Sequence, residues 1–191
     1  MKNETSEVSR QKRVVDQMLT SHSLLRDRYR RRARLLNLVL LVLGVALCAL
    51  TFASTDNLSS IGVSPPTADF LLRVVAVAVF LISLIEARLN WSGLASIHGD
   101  AADRLFRIKQ KHRELLDASG ELDSDQIANL KKEYLVVHSN LPEIPERHFL
   151  QLKAKHLRKV GLSRRLDTSP GRPVWLIKWD LFREGLKGSK R

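Results

Sequence analysis

The chain has a single cysteine, Cys48, in 191 residues. That excludes an intrachain disulfide framework and a thiolate metal cluster. Its nine glycines are scattered and form neither GxGxxG nor a GxxxxGKS/T pattern, so no phosphate-cradling loop is present. The six histidines (His22, His98, His112, His138, His148 and His156) include no HExxH pair and no two spaced i,i+4. His148 and His156 are eight apart and can share a helix face, but no carboxylate or thiol spacing completes a metal site. Asp100/Asp103 and Asp123/Asp125 fit a solvated helix face and a cap rather than paired catalytic carboxylates. No internal repeat and no low-complexity tract occurs. An enzyme, a resident metal and a cofactor are therefore not expected.

Charge is missing in two places, and there the chain is most informative. Residues 35–54, LLNLVLLVLGVALCALTFAS, carry none. At 1.5 Å per residue such a helix is about 30 Å long, the thickness of a hydrocarbon core. Residues 70–85, FLLRVVAVAVFLISLI, carry one, Arg73. A mean hydropathy of −0.15 hides both runs inside a polar remainder. A cleaved signal peptide does not fit, because a helical, 34-residue segment precedes the first run and a second run follows. Leu47 is also too bulky to precede a lipoprotein-type Cys48.

The connector 55–66 lacks Lys and Arg, whereas residues 1–34 hold ten and residues 86–191 hold twenty-one. The positive-inside rule then places both termini in the cytoplasm and the connector outside. Pro65-Pro66 should open the second helix. Asp69 and Arg73, four apart, are expected to pair near its outer end, or to form a charged ring at a pore mouth.

Helical spacing runs through the polar remainder. Val8, Val15, Met18, His22, Leu25, Tyr29 and Leu36 mark one face of the first segment. Trp91, Leu94, His98, Ala101, Leu105, Ile108, His112 and Leu115 alternate spacings of three and four, a heptad seam. The same frame runs back through Ala87, Leu84, Phe80 and Val77. It predicts one continuous helix from about Pro66 to Ala118. His22 lies twelve residues before Arg34 and His98 twelve after Glu86, so antiparallel packing sets them at one depth. A buried histidine pair is either simple packing or a pH switch.

Ser119-Gly120 should end the long helix, and Asp123-Ser124-Asp125 should start another carrying Ile127, Leu130, Tyr134 and Val137 on one face. A turn at 140–145 leads to a short helix, Glu146–Val160, with Phe149, Leu152 and Leu157. Gly161–Pro173 reads as a loop. The last helix, Val174–Leu186, sets Trp175, Trp179, Phe182 and Leu186 on one face, to lie in a bilayer interface or to cover a helical bundle.

Arg26, Arg28, Arg30, Arg31, Arg32 and Arg34 fall within nine residues just before the first apolar run. Their position favours anionic lipid headgroups over nucleic acid or a phosphorylated ligand. Gly44/Cys48 and Ala49/Ala53 on the first apolar helix, with Ala76 and Ala78 on the second, permit close helix approach. Two helices cannot enclose a water-filled path, so conduction would need a homo-oligomer.

The layout of a basic N-terminal helix, a hairpin, a helix bearing Trp91, Ala95, His98 and Ala102, a helix with Tyr134, and the segment Asn140-Leu141-Pro142-Glu143-Ile144-Pro145-Glu146-Arg147-His148-Phe149 resembles the SLATT domains. These are the SMODS and SLOG-associating two-transmembrane effectors of bacterial defence systems. The resemblance covers roughly residues 10–160. It implies a pore-forming or membrane-disrupting inner-membrane effector, acting as an oligomer on a signal from a nucleotidyltransferase or nucleotide sensor encoded nearby. The rival is a non-conducting membrane-anchored scaffold that recruits a partner protein.

The sequence thus specifies an all-α membrane protein: a cytoplasmic basic helix (1–34), a transmembrane hairpin (35–87, with spans 35–54 and 67–87), a cytoplasmic helical or coiled-coil stalk (88–160), and a loop with an amphipathic basic helix (161–191). Candidate gating or stalk residues are Asp69, Arg73, Glu86, Trp91, His98 and Ala102.

Overall fold

A computed structural model describes residues 2–52, 64–117 and 124–188. It is all-helical, with no strand among the described residues: α1 (Lys2–Phe52), α2 (Pro65–Leu89), α3 (Trp91–Asp117), α4 (Ser124–Ser139), α5 (Glu146–Thr168) and α6 (Val174–Gly188). The expected stop at Ser119-Gly120, the Asp123 cap, Ala53, the connector up to residue 63 and the side chain of Leu186 lie outside the described residues. The chain forms two compact units, one of residues 25–97 and one of residues 1–24 with 98–191.

The unit of 25–97 holds the apolar helices. α2 starts at Pro65, where proline's fixed φ suits a first turn and its missing N–H is no loss. The Ser64 carbonyl accepts the N–H groups of Thr67 and Ala68 at 3.0 Å. Half-buried positions recur at spacings of three and four: Ala33, Leu36, Leu40, Leu43, Leu47 and Leu50 on α1, and Ala68, Leu72, Val75, Val79, Ile82 and Glu86 on α2. Those are stripes of two helices in side-by-side contact. Most of the remaining positions along 35–52 and 65–89 are exposed, with Gly44, Ala46 and Ala78 half-buried. Leu38, Leu41, Val42 and Val45, like Phe70, Val77, Phe80 and Leu84, are exposed. Of the small residues, Ala78 is half-buried beside Val79, whereas the others described do not make the contact. A Cβ on Gly44 would meet nothing within 4 Å, and Cys48, Ala49 and Ala76 are exposed.

The expected continuous helix from Pro66 to Ala118 is broken at Asn90. This residue has φ 40° and ψ 51°, the only non-glycine with positive φ among the described residues. Asparagine tolerates this left-handed region better than other side-chain-bearing residues. Its N–H still bonds the Glu86 carbonyl (2.9 Å), and its carbonyl accepts the Leu94 N–H (3.1 Å). Its side-chain Oδ1 accepts the Gly93 N–H at 3.1 Å, an N-cap for α3. One residue therefore closes α2 and opens α3. Gly93 is what makes room: a Cβ there would lie 2.5 Å from Asn90 Nδ2.

In the other unit the seam residues are buried as their spacing predicts. Val15, Leu105 and Ile108 form a core against which Met18, Leu19, Tyr134, Val137 and Leu141 pack. Ala101 and Ala102 are buried, as small residues permit at a close helix crossing. Lys109 reaches Asp16 at 2.6 Å and Lys111 reaches Glu133 at 2.6 Å, tying α3 to α1 and to α4. The partners of this heptad seam lie within the chain itself. Leu105 and Ile108 are covered by the chain's own residues, so that stripe is not open to a second copy.

The short helix expected at 146–160 instead continues to Thr168, and the loop shrinks to residues 169–173. α6 packing on α5 accounts for the extra turns. Leu181 lies 3.8 Å from the Cβ position of Gly161, and Arg165 pairs with Glu184. Tertiary contact outweighs the modest cost of a mid-helix glycine.

Candidate functional site

Two constellations carry polar or charged chemistry, one in each unit. In the unit of 1–24 and 98–191, His22 on α1 meets His98 on α3. Their Nδ1 atoms are 3.0 Å apart and the ring centroids 5.2 Å apart. Both side chains are buried. Equal distances from the apolar runs do bring the two rings together. An Nδ1–Nδ1 hydrogen bond needs one ring to donate and the other to accept, so the pair is stable when one Nδ1 carries a proton and the other does not. Burial, and then the like charge of His98, push His22 down to about 4. Burial also lowers His98. Both rings are thus neutral near pH 7.

Two further buried histidines lie in this unit. Thr20 Oγ1 donates to the Asp16 carbonyl (2.9 Å), so the 3.1 Å contact with His156 is a bond from His156 Nδ1–H to Thr20. His112 Nδ1–H donates to the Ile108 carbonyl at 2.8 Å, while its buried Nε2 has no hydrogen-bond partner among the described residues. No group of three His, Cys, Asp or Glu side chains able to hold a metal occurs among the described residues. In this structure the buried histidines pack in the helical core and hydrogen-bond to one another, to Thr20 and to the Ile108 carbonyl.

In the unit of 25–97, Arg32 stacks over Trp91, its guanidinium carbon 5.7 Å from the ring centroid. Arg26 pairs with the adjacent Asp27 at 3.0 Å. Arg30, Arg31 and Arg34 are exposed and carry no carboxylate partner among the described residues. Arg28 is also exposed.

Of the candidates read from sequence, Asp69 and Arg73 are exposed near the start of α2 and do not form the expected ion pair. An exposed pair gains little against the entropy of holding two side chains in place. Glu86 is half-buried and forms no salt bridge with Arg88 or the arginine cluster. Trp91 is half-buried beneath Arg32. His98 and Ala102 are buried one turn apart on α3. The structure therefore brings together His98 with His22, and Trp91 with Arg32.

Sequence reasoning missed Asn90, Thr20–His156 and Lys109–Asp16. Only the first had a local signal, an asparagine three residues before a glycine. The other two join residues over 90 positions apart, which no local pattern reports.

No family model matches the chain, and no curated protein or solved structure matches it either. The likeness to SLATT domains stands on the sequence pattern alone. Two helical stretches, Ser6–Phe52 in α1 and Pro65–Asp117 through α2 and α3, are long and apolar enough to cross a membrane, and the apolar window of each is 0% buried.

Proposed function

We propose that this chain is a two-span effector of a bacterial inner membrane, with both termini in the cytoplasm, that opens or disrupts the bilayer as a homo-oligomer. The observation that carries the reading is the outward face of residues 35–52 and 70–89. The core helix of a water-soluble protein buries its apolar face, but here Leu41, Val45, Phe80 and Leu84 lie open on all sides not taken by the neighbouring helix. Soluble monomers rarely expose contiguous apolar patches beyond a few hundred Å². Lipid resolves that exposure at no cost.

Four exposed arginines, Arg28, Arg30, Arg31 and Arg34, stand just before the apolar run, where anionic headgroups attract each by about 1 kcal/mol. Because the seam of α3 is filled from within, oligomer contacts fall to the hairpin's outer faces. Asp69 and Arg73 then supply polar groups at one mouth of a path between hairpins, and Glu86 at the other. The SLATT-like layout adds the trigger, a signal from a nucleotide synthase or sensor.

Dye release from liposomes carrying the purified full chain tests the reading. Release that rises with protein density, and falls when Arg73→Leu or Glu86→Leu is introduced, is the expected result. Correct insertion without release, alone and with the cognate partner, overturns the effector reading and leaves an anchored scaffold.

A further inference from the structure

α6 turns its largest side chains away from the chain. Trp175, Trp179 and Phe182 are 70%, 59% and 58% exposed, whereas Ile177 on the other side is buried. With 3.6 residues per turn the three aromatics fall within an arc of about 60°. Lys178 borders that arc on one side and Arg183 on the other. Both are exposed. The two carboxylates on the described part of α6 lie on the far side and are occupied. Asp180 pairs with Arg172 at 3.1 Å, and Glu184 pairs with Arg165. The outward face is thus aromatic at its centre, cationic at both edges and free of acid.

Tryptophan between basic residues suits the headgroup layer, where the ring is half-solvated and the cation meets phosphate. A second copy does not suit it. An isologous contact would bring the cationic edges of two copies, Lys178 and Arg183, against one another with no carboxylate on the face to offset them. We propose that α6 docks through Trp175, Trp179 and Phe182 onto an anionic phospholipid surface. The inference rests on the membrane reading above, because tethering to an embedded hairpin supplies the effective concentration that one short amphipathic helix needs.

The test uses the full chain carrying Trp91→Phe, so that Trp175 and Trp179 are the only reporters. It is reconstituted in nanodiscs of phosphatidylcholine with and without phosphatidylglycerol, the acyl chains brominated. Quenching and a blue-shifted emission in the anionic discs, both reduced by salt, are expected. Lys178→Glu with Arg183→Glu should remove about tenfold of the anionic preference. Reporters that stay accessible to acrylamide in anionic discs overturn the inference. So does shielding that depends on protein concentration and not on lipid charge, which signals a second copy. A parallel chain with all three tryptophans replaced by Phe and Val45→Trp reports on the hairpin. Quenched Val45→Trp with wet α6 reporters sinks this proposal alone, while an unquenched Val45→Trp sinks the membrane reading itself.

Discussion

The two units of this chain use the same helical grammar and differ in the face each turns away from its neighbouring helices. In residues 1–24 and 98–191, a stripe at spacings of three and four is buried against the chain's own helices, and Lys, Arg, Asp and Glu occupy most of the remaining surface. In residues 25–97, stripes of the same spacing are half-buried, and along 35–52 and 70–89 the remaining surface is mainly Leu, Val, Phe, Ile and Ala. Periodicity therefore reports where another helix lies. The composition of the opposite face reports the solvent. The contrast is sharpest between Leu105, fully buried, and Leu41, 64% exposed.

Aspartate at each of those two leucines makes the comparison decisive. Leu105→Asp leaves an unpaired charge in a closed core, and we expect a loss of about 3–5 kcal/mol and unfolding of its unit. Circular dichroism melts in detergent read the loss. Leu41→Asp disturbs no core contact, but it should weaken membrane insertion by about 2.5–3.5 kcal/mol. Carbonate extraction of membranes reads that. A Leu41→Asp chain that disperses in detergent-free buffer with unchanged helicity, and inserts as well as the parent, would show that water and not lipid surrounds the hairpin.

Truncation sharpens the same contrast with a smaller effect. Ile108→Ala should cost about 2–5 kcal/mol, since it removes buried methyl groups and leaves a cavity. Val45→Ala, exposed and without core contacts, should shift the melt by no more than about 0.5 kcal/mol. Equal shifts would mean that the hairpin's outer face is packed after all.

Acid distinguishes the units in another way, because the buried histidine pair lies in one and not in the other. His22 sits at about 4, against 6.5 when unfolded. The unfolded state thus binds more protons between those values, and stability rises with pH across that window. The melting temperature should be flat above about pH 6.5 and fall progressively toward pH 4. A His22→Gln/His98→Gln chain should lose most of that slope. A slope that survives both substitutions would overturn the assignment of the acid sensitivity to the histidine pair.

Helices, seams and exposed apolar runs were legible because each depends on residues three or four positions apart. Val15, Leu105 and Ile108 read correctly as core for that reason. The extent of α5 did not, because Gly161, Arg164 and Arg165 resemble a loop until Leu181 and Glu184 pack on them. The candidate site was legible only in part. Equal spacing from the apolar runs brought His22 to His98, whereas Arg32 over Trp91 and the absence of an Asp69–Arg73 pair depend on side-chain placement that no spacing encodes. The free Trp face of α6 was foreseen as a face, but its exposure followed only once Ile177 was seen to hold the helix from the other side.

The smallest effect concerns the junction within residues 25–97. Asn90 interrupts the helical dihedrals while keeping the flanking bonds to Glu86 and Leu94, so this break, and any bend it makes, costs little and is easily shifted. Asn90→Ala loses the cap to Gly93 and places a less tolerant residue at φ 40°, a combined penalty of about 1–2 kcal/mol for the bent form. The chain can escape that penalty by straightening into one helix. Asn90→Gly keeps the positive φ and loses only the cap, about a few tenths of a kcal/mol, and should stay bent. Gly93→Ala collides with the Asn90 side chain and removes the same cap, but gains about 1 kcal/mol of helix propensity. It should leave stability nearly unchanged and favour the straight form. Spin labels at Ser83→Cys and Ser96→Cys, in a Cys48→Ala background, separate these outcomes. The interlabel distance should lengthen in Asn90→Ala and Gly93→Ala and hold in Asn90→Gly. Identical distances in all three would mean that packing on α1, and not the asparagine cap, sets the bend.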